Sequence, residues 1–210
     1  MRLEGEMIDG RPVVVLAHGA GADSQSPFMQ NVSSELVKRG LAVVLFDFPY
    51  MKRRQETGRK SPPDREPKLL EAFADVVHRY QGQHPVVVGG KSMGGRMASR
   101  LAAIQADYDV VLRGWFALGY PFHPPGRPER LRIDHLPHIS VPGWIVQGER
   151  DPFGSKAEPV ETWLGNRVGL SWMPDGNHDL MPRRSSGVDA EAEWARWLDT
   201  IAERIKVWAS

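Results

Sequence analysis

The run Pro85-Val86-Val87-Val88-Gly89-Gly90-Lys91-Ser92-Met93-Gly94-Gly95-Arg96 leaves few folds open to this chain. A β-branched valine stretch ends at two glycines. A serine follows, then two more glycines, then Met97-Ala98-Ser99-Arg100-Leu101-Ala102, which has helical composition. This predicts a strand turning sharply into a helix, with Ser92 at the turn and G-x-S-x-G over Gly90–Gly94. The spacing has a steric origin. The turn residue is held at an awkward backbone angle, and side chains two positions to either side would collide, so both positions favour glycine. The turn lifts the serine oxygen clear of the sheet edge, and the helix start aims N–H groups and a positive dipole at it.

Two phosphate-binding readings compete for glycine-rich stretches of this chain. Gly90-Lys91-Ser92 resembles the end of G-x-x-x-x-G-K-[ST], but the required first glycine is Pro85, and a valine run forms a strand rather than a loop around phosphate. Gly19-Ala20-Gly21-Ala22-Asp23-Ser24 nearly fits a dinucleotide fingerprint, but its last position is Ser24, and Asp47 is the sole acidic residue at the end of the next strand. Neither reading stands, so no cofactor is expected.

Around the elbow, strand-like and helix-like patterns alternate. Strands are predicted at Val13–Ala17, Leu41–Phe46, Pro85–Gly89, Val110–Leu118, Pro142–Gln147 and Arg167–Met173. Helices are predicted at Phe28–Arg39, Lys68–Tyr80, Met93–Gln105, around Ala157–Leu164, and over Val188–Trp208. Asp47–Pro67 reads as a polar, proline-bearing loop. The last helix carries Trp194, Trp197, Leu198, Ile201, Ile205 and Trp208 at helical spacing, which suits a helix docked on a sheet. This order implies an α/β fold, with a mostly parallel central sheet covered by helices on both faces. The 210 residues are expected to form a single domain, 1–210.

Composition narrows the function. A formal net charge of +1 gives no global field for nucleic acid or membrane. The chain has 0 cysteines, which excludes disulfides, thiol catalysis and cysteine-ligated zinc. The start, Met1-Arg2-Leu3-Glu4-Gly5-Glu6, lacks the apolar core of a signal peptide, and no apolar run is long enough to span a bilayer. A cytoplasmic location is therefore expected, and the oligomeric state is not legible. His135-Leu136-Pro137-His138 imitates a metal pair, but Pro137 breaks the helix that would align the ligands, so no metal is expected.

A serine hydroxyl is a poor nucleophile alone. It needs a base for its proton, and the base needs an acid to fix its tautomer and stabilise its cation. Where an elbow carries the nucleophile, the acid and then the base follow in the chain, at the carboxyl ends of strands. Trp144–Gln147 leads into Gly148-Glu149-Arg150-Asp151, and Leu170–Met173 into Pro174-Asp175-Gly176-Asn177-His178. His178 is the expected base and Asp151 the expected acid, with Glu149 and Asp175 as rivals. The oxyanion needs two backbone donors. One is the Met93 N–H. The other comes from the loop His18-Gly19-Ala20-Gly21, at Ala20 or, as a rival, Gly21. Lys91 flanks the elbow and reads either as an aid to an anionic substrate or as a solvated side chain. Lys52–Arg54 and the Arg127, Arg130 and Arg132 group read as solvated loops.

With these pieces in place, the chain resembles a small α/β-hydrolase of the dienelactone-hydrolase-like kind. More narrowly, it is similar to a bacterial group of predicted hydrolases marked by HGAGA (His18–Ala22), FDFPYM (Phe46–Met51), GGKSMGGR (Gly89–Arg96), GYPFHPPGRPE (Gly119–Glu129) and GERDPFG (Gly148–Gly154). The resemblance covers nearly the whole chain. It implies the triad Ser92, Asp151 and His178, and it names no substrate. Related eukaryotic proteins include chromatin-complex subunits, so it also leaves room for a binding module. Many relatives insert a helical cap where Gly119–His138 stands, and this segment is too short for one. The expectation is a cap-less serine hydrolase cleaving an acyl bond, foremost a carboxylic ester of a small molecule. Thioester or peptide hydrolysis and a catalytically idle scaffold are the alternatives. The substrate-binding walls are expected from Tyr50, Met51, Tyr120, Phe122 and Phe153, framing a shallow cleft suited to short acyl chains or small aromatic groups.

Overall fold

The computed structural model describes residues 1–210. Seven strands form one sheet: β1 (Arg2–Glu4), β2 (Val13–Ala17), β3 (Ala42–Phe46), β4 (Val86–Lys91), β5 (Leu112–Leu118), β6 (Gly143–Gly148) and β7 (Val168–Met173). Their order is β1-β3-β2-β4-β5-β6-β7, and only the β1–β3 pairing is antiparallel. Five helices cover it: α1 (Pro27–Lys38), α2 (Pro49–Thr57), α3 (Glu66–His78), α4 (Met93–Ala103) and α5 (Ala190–Ala209). The fold is an α/β-hydrolase fold. Gly119–His138 holds no cap, only a single turn of tight helix at Leu136–His138.

The valine runs explain the burial. Side chains alternate across a strand, so a strand covered on both faces must be apolar at every position. Val13, Val15 and Ala17 join a core with α3 and α4 on one face. Val14 and Leu16 join a core with α1 and α5 on the other. In α5, Trp197, Leu198, Ile201 and Ile205 are buried, and Asp189 caps the helix by accepting from the Glu191 and Ala192 N–H groups. The chain leaves β2 toward β3 and returns on the other side to β4. That reversal opens a crevice at the carboxyl ends of the central strands, where ligands bind in open α/β sheets.

Four elements differ from the sequence reading. β1 is short, half-exposed and without an apolar run, so no pattern announced it. α2 lies inside the expected Asp47–Pro67 loop. Its last two turns are charged and polar, which hides the periodicity, although Gly58 ends it at φ 67 as a left-handed cap should. The expected Ala157–Leu164 helix is one tight turn, Val160–Trp163, cut short by Pro159. β5 starts at Leu112 rather than Val110, because Asp109 sits at φ 51 and turns the chain.

His135 is buried behind α4, with Nε2 2.7 Å from Ser99 Oγ. Burial, with Arg100 and Arg96 nearby, pushes its pKa down to about 3 from 6.5. The unfolded chain therefore binds a proton at His135 below pH 6.5 that the folded chain refuses until about 3. Stability held above that window falls as pH drops through it. Replacing His135 with Asn should reduce the slope of unfolding free energy against pH by up to one proton there. Urea melts at stepped pH measure it, and an unchanged slope would refute the assignment.

Candidate active site

Ser92 sits where β4 meets α4, at φ 52 and ψ −116. A non-glycine residue rarely holds this conformation, and it costs about 1–3 kcal/mol. The neighbouring glycines explain how it persists. A Cβ on Gly90 would stand 2.5 Å from the Ala17 carbonyl oxygen and 2.5 Å from the Gly94 carbonyl carbon. A Cβ on Gly95 would meet Ala117 Cβ at 2.6 Å. The elbow is thus wedged between β2, β5 and its own helix.

The three side chains picked from sequence meet above the strand ends. Ser92 Oγ is 2.8 Å from His178 Nε2, and His178 Nδ1 is 2.8 Å from Asp151 Oδ2. Ser92 and His178 are partly exposed, whereas Asp151 is fully buried. The Asp151 carboxylate also accepts the Phe153 N–H at 2.9 Å and the Gln147 amide at 3.0 Å. The rival acids are engaged elsewhere. Glu149 binds Lys156 and the Asp175 N–H. Asp175 binds Arg183 and Arg150, and the Arg183 hydrogen bond pulls its carboxyl down to about 2.

The loop after β2 is fixed by its own polar groups. His18 is buried; its Nε2 accepts the Phe48 N–H at 3.1 Å, and its Nδ1 lies 2.6 Å from Gly19 O. An acceptor at one nitrogen and a carbonyl at the other require the neutral ring with hydrogen on Nδ1. Burial, opposed by the Gly19 carbonyl and Asp47, holds the His18 pKa below its ordinary value. Tyr50 Oη donates to the next carbonyl, Ala20 O, at 3.1 Å and lies 3.3 Å from Gly19 O. The Gly19–Ala20 peptide is trans, so pinning its carbonyl directs the Ala20 N–H the opposite way. That N–H makes no hydrogen bond within the chain. Asp47 ties down the next turn by accepting from Ser24 N at 2.8 Å and Ser24 Oγ at 3.1 Å. The Met93 N–H opens α4, where first-turn donors lack helical partners.

The expected substrate walls need correction. Tyr50, Met51, Tyr120 and Phe122 are buried in the core against α3 and α4 and offer no surface to a ligand. They follow strand ends, as read, but apolar bulk there completes the core rather than a cleft. Phe153 differs: it is partly exposed, and its ring centroid is 4.3 Å from that of His178. Lys91 was expected in solvent or facing substrate. Its alternation in β4 instead sends it to the α1–α5 face, where it is buried. The basic loop residues are partly paired, Arg53 with Asp64 at 2.6 Å for example. A cavity of about 630 Å³ between α1 and α5 is lined by Phe28, Asp179 and Trp194 but not by Ser92, Asp151 or His178.

Sequence reasoning missed Gln147. It is fully buried in β6, accepts the Tyr120 N–H at 2.7 Å, and donates to Asp151 and to Gly154 O at 2.9 Å. A lone glutamine inside an apolar strand, Trp144-Ile145-Val146-Gln147, is the signal that marks such a residue. Gln147→Leu removes a donor from Asp151 and strands the Tyr120 N–H. Each unsatisfied buried group costs about 1–3 kcal/mol. The variant should be destabilised by that order, and hydrolysis should slow at least tenfold; wild-type activity and melting would disprove the role.

A seven-stranded sheet with a serine at a strained strand-to-helix turn, facing a histidine and a buried aspartate from later strand ends, defines the hydrolase class built on this fold. The chain belongs to the alpha/beta hydrolase domain family, which it matches over residues 10–206. Solved structures of similar fold include a dienelactone hydrolase from Anabaena variabilis, 22% identical with TM-score 0.64, covering 93% of this chain and 84% of that one. An esterase from Pyrococcus furiosus is 17% identical with TM-score 0.66, covering 94% and 82%. A monoacylglycerol lipase from Paleococcus ferrophilus is 14% identical with TM-score 0.66, covering 93% and 94%. No helix is long and apolar enough to cross a membrane.

Proposed function

We propose that this protein is a serine hydrolase that cleaves an acyl bond, foremost a carboxylic ester of a small molecule. The observation that carries the reading is the unbroken hydrogen-bond line Ser92 Oγ–His178 Nε2, His178 Nδ1–Asp151 Oδ2, at 2.8 Å for each link. In this reading His178 takes the Ser92 proton as the serine oxygen attacks the acyl carbon. Asp151 holds the ring with hydrogen on Nδ1 and stabilises the imidazolium that forms. The Met93 and Ala20 N–H groups receive the oxyanion, the second supported by the pinned Gly19 carbonyl. His178 then protonates the leaving alcohol, and a water activated by the same ring hydrolyses the acyl-enzyme. The similar structures named as an esterase and a lipase support an ester as the bond cleaved. With no cap over the strand ends, short acyl groups fit better than long chains.

A fluorophosphonate probe tests the reading without knowledge of the natural substrate. The adduct should map to Ser92 by peptide mass, and p-nitrophenyl acetate should be turned over faster than the palmitate ester. An unlabelled, folded protein would leave a binding module as the better description.

A further inference from the structure

Lys91 precedes Ser92 at the end of β4, and its side chain is only 10% exposed. Its ammonium donates to the main-chain oxygen of His178 at 2.5 Å and lies 3.3 Å from Asp179 Oδ1. The face of Phe28 closes a third side, with its centroid at 5.4 Å. Burying an ammonium costs several kcal/mol unless partners compensate. Burial accordingly lowers the Lys91 pKa, against the pull of Asp179 and Asp151. No hydrogen bond joins Lys91 to the side chains of Ser92, His178 or Asp151, whose own links form the proton path. What Lys91 grips is the backbone of the base.

A second observation points the same way. Gly119, at the end of β5, has φ +66, and a Cβ there would stand 2.6 Å from His178 O, 3.1 Å from Lys91 Nζ and 3.3 Å from His178 Nδ1. The missing side chain is the space in which Lys91 reaches His178. The His178 loop also needs a hold, because Asp175 and Leu180 on either side of the histidine are non-glycine residues at φ 49 and φ 58. Strained backbone of this kind persists only where its surroundings over-determine it.

We propose that Lys91 is a positioning residue: it ties the loop of the general base to the strand of the nucleophile through one charge-assisted hydrogen bond to the His178 carbonyl. This rests on the triad reading above. A displacement of about 1 Å at the reacting atoms costs on the order of a hundredfold in rate. The loss therefore falls on the chemical step and not on binding.

The test compares Lys91→Met with wild type. Methionine keeps the apolar stem and removes the charge, and the carboxylate left behind, Asp179, is 66% exposed and so stays solvated. Fluorophosphonate labelling is resolved into its inactivation rate and its reversible binding constant. The inactivation rate should fall at least tenfold, with binding within twofold and circular dichroism unchanged. A second readout is the downfield imidazole N–H proton of His178, sharp in wild type and broadened or lost in the variant. Gly119→Ala, which wedges the same gap, should reproduce both effects. An unchanged inactivation rate in folded Lys91→Met overturns the proposal, as does weaker binding with an unchanged rate. If wild type takes no label, the triad reading has failed, and the His178 resonance alone then decides whether Lys91 holds the ring.

Discussion

Ser92→Ala should reduce ester hydrolysis by about 10⁴- to 10⁶-fold, the range seen when a triad member is removed from a serine hydrolase. The reason is local. No other serine stands at a strand-to-helix turn within 2.8 Å of an imidazole that is itself braced by a buried carboxylate. The variant should fold, because Ser92 makes no side-chain cap bond to α4 and fills no core. Ser92→Gly extends the test to the backbone. At φ 52, any L-residue carries strain that glycine does not. Relief of about 1–3 kcal/mol, less about 0.5–1 kcal/mol for the freer unfolded glycine, leaves Ser92→Gly more stable than Ser92→Ala by up to about 2.5 kcal/mol. Both should be equally dead. Half of wild-type activity in either variant would remove Ser92 from its role, and equal melting temperatures would remove the strain argument.

Gly90→Ala should be among the most damaging single methyls in the chain. Its Cβ would lie 2.5 Å from Ala17 O, 2.5 Å from the Gly94 carbonyl carbon and 2.8 Å from Gly95 N. All three are main-chain atoms, in β2 and in α4, so no rotamer change relieves them. Overpacking against side chains typically costs about 1–3 kcal/mol; against fixed backbone we expect about 3 kcal/mol or more, a fall in Tm of roughly 10 °C for a domain of this size. Activity should fall with it, because the same displacement moves Ser92. Gly82→Ala is the control, since nothing lies within 4 Å of a Cβ there. It should stay within about 0.5 kcal/mol of wild type. A Gly90→Ala protein that melts with wild type would mean that the elbow is not wedged.

Much of this was legible because it rests on covalent chemistry and close approach, which sequence records directly. Glycines at 90 and 94 encode the turn, and unbroken valines encode strands buried on both faces. Asp151 and His178 follow strand ends, so their convergence follows from a parallel sheet. The substrate walls were misread for a physical reason. Tyr50 and Tyr120 are aromatic residues after strand ends, and composition does not say whether such a ring turns outward to a ligand or inward to α3 and α4. Their hydroxyls, bonded to Ala20 O and Arg132 O, match the inward choice. Lys91 was misread for a related reason. A lysine in a polar-looking motif suggests solvent, but strand alternation outranks residue type and buries it. Gln147 and the partners of Asp47 depend on contacts across many residues, which only the folded chain brings together.

The segment after β5 has a consequence for how larger relatives of this fold can arise. Tyr120 and Phe122 anchor its start in the core, Leu136 anchors its end, and the Arg132 N–H bonds back to Phe122 O at 2.8 Å. Between these anchors, residues 125–131 are exposed. The two ends are thus clamped independently of what joins them. Lengthening the joint costs only slowly growing loop entropy, about 0.6 kcal/mol per doubling. This tip is a splice point, where a whole lid could be grafted above Ser92 while the scaffold beneath keeps its shape.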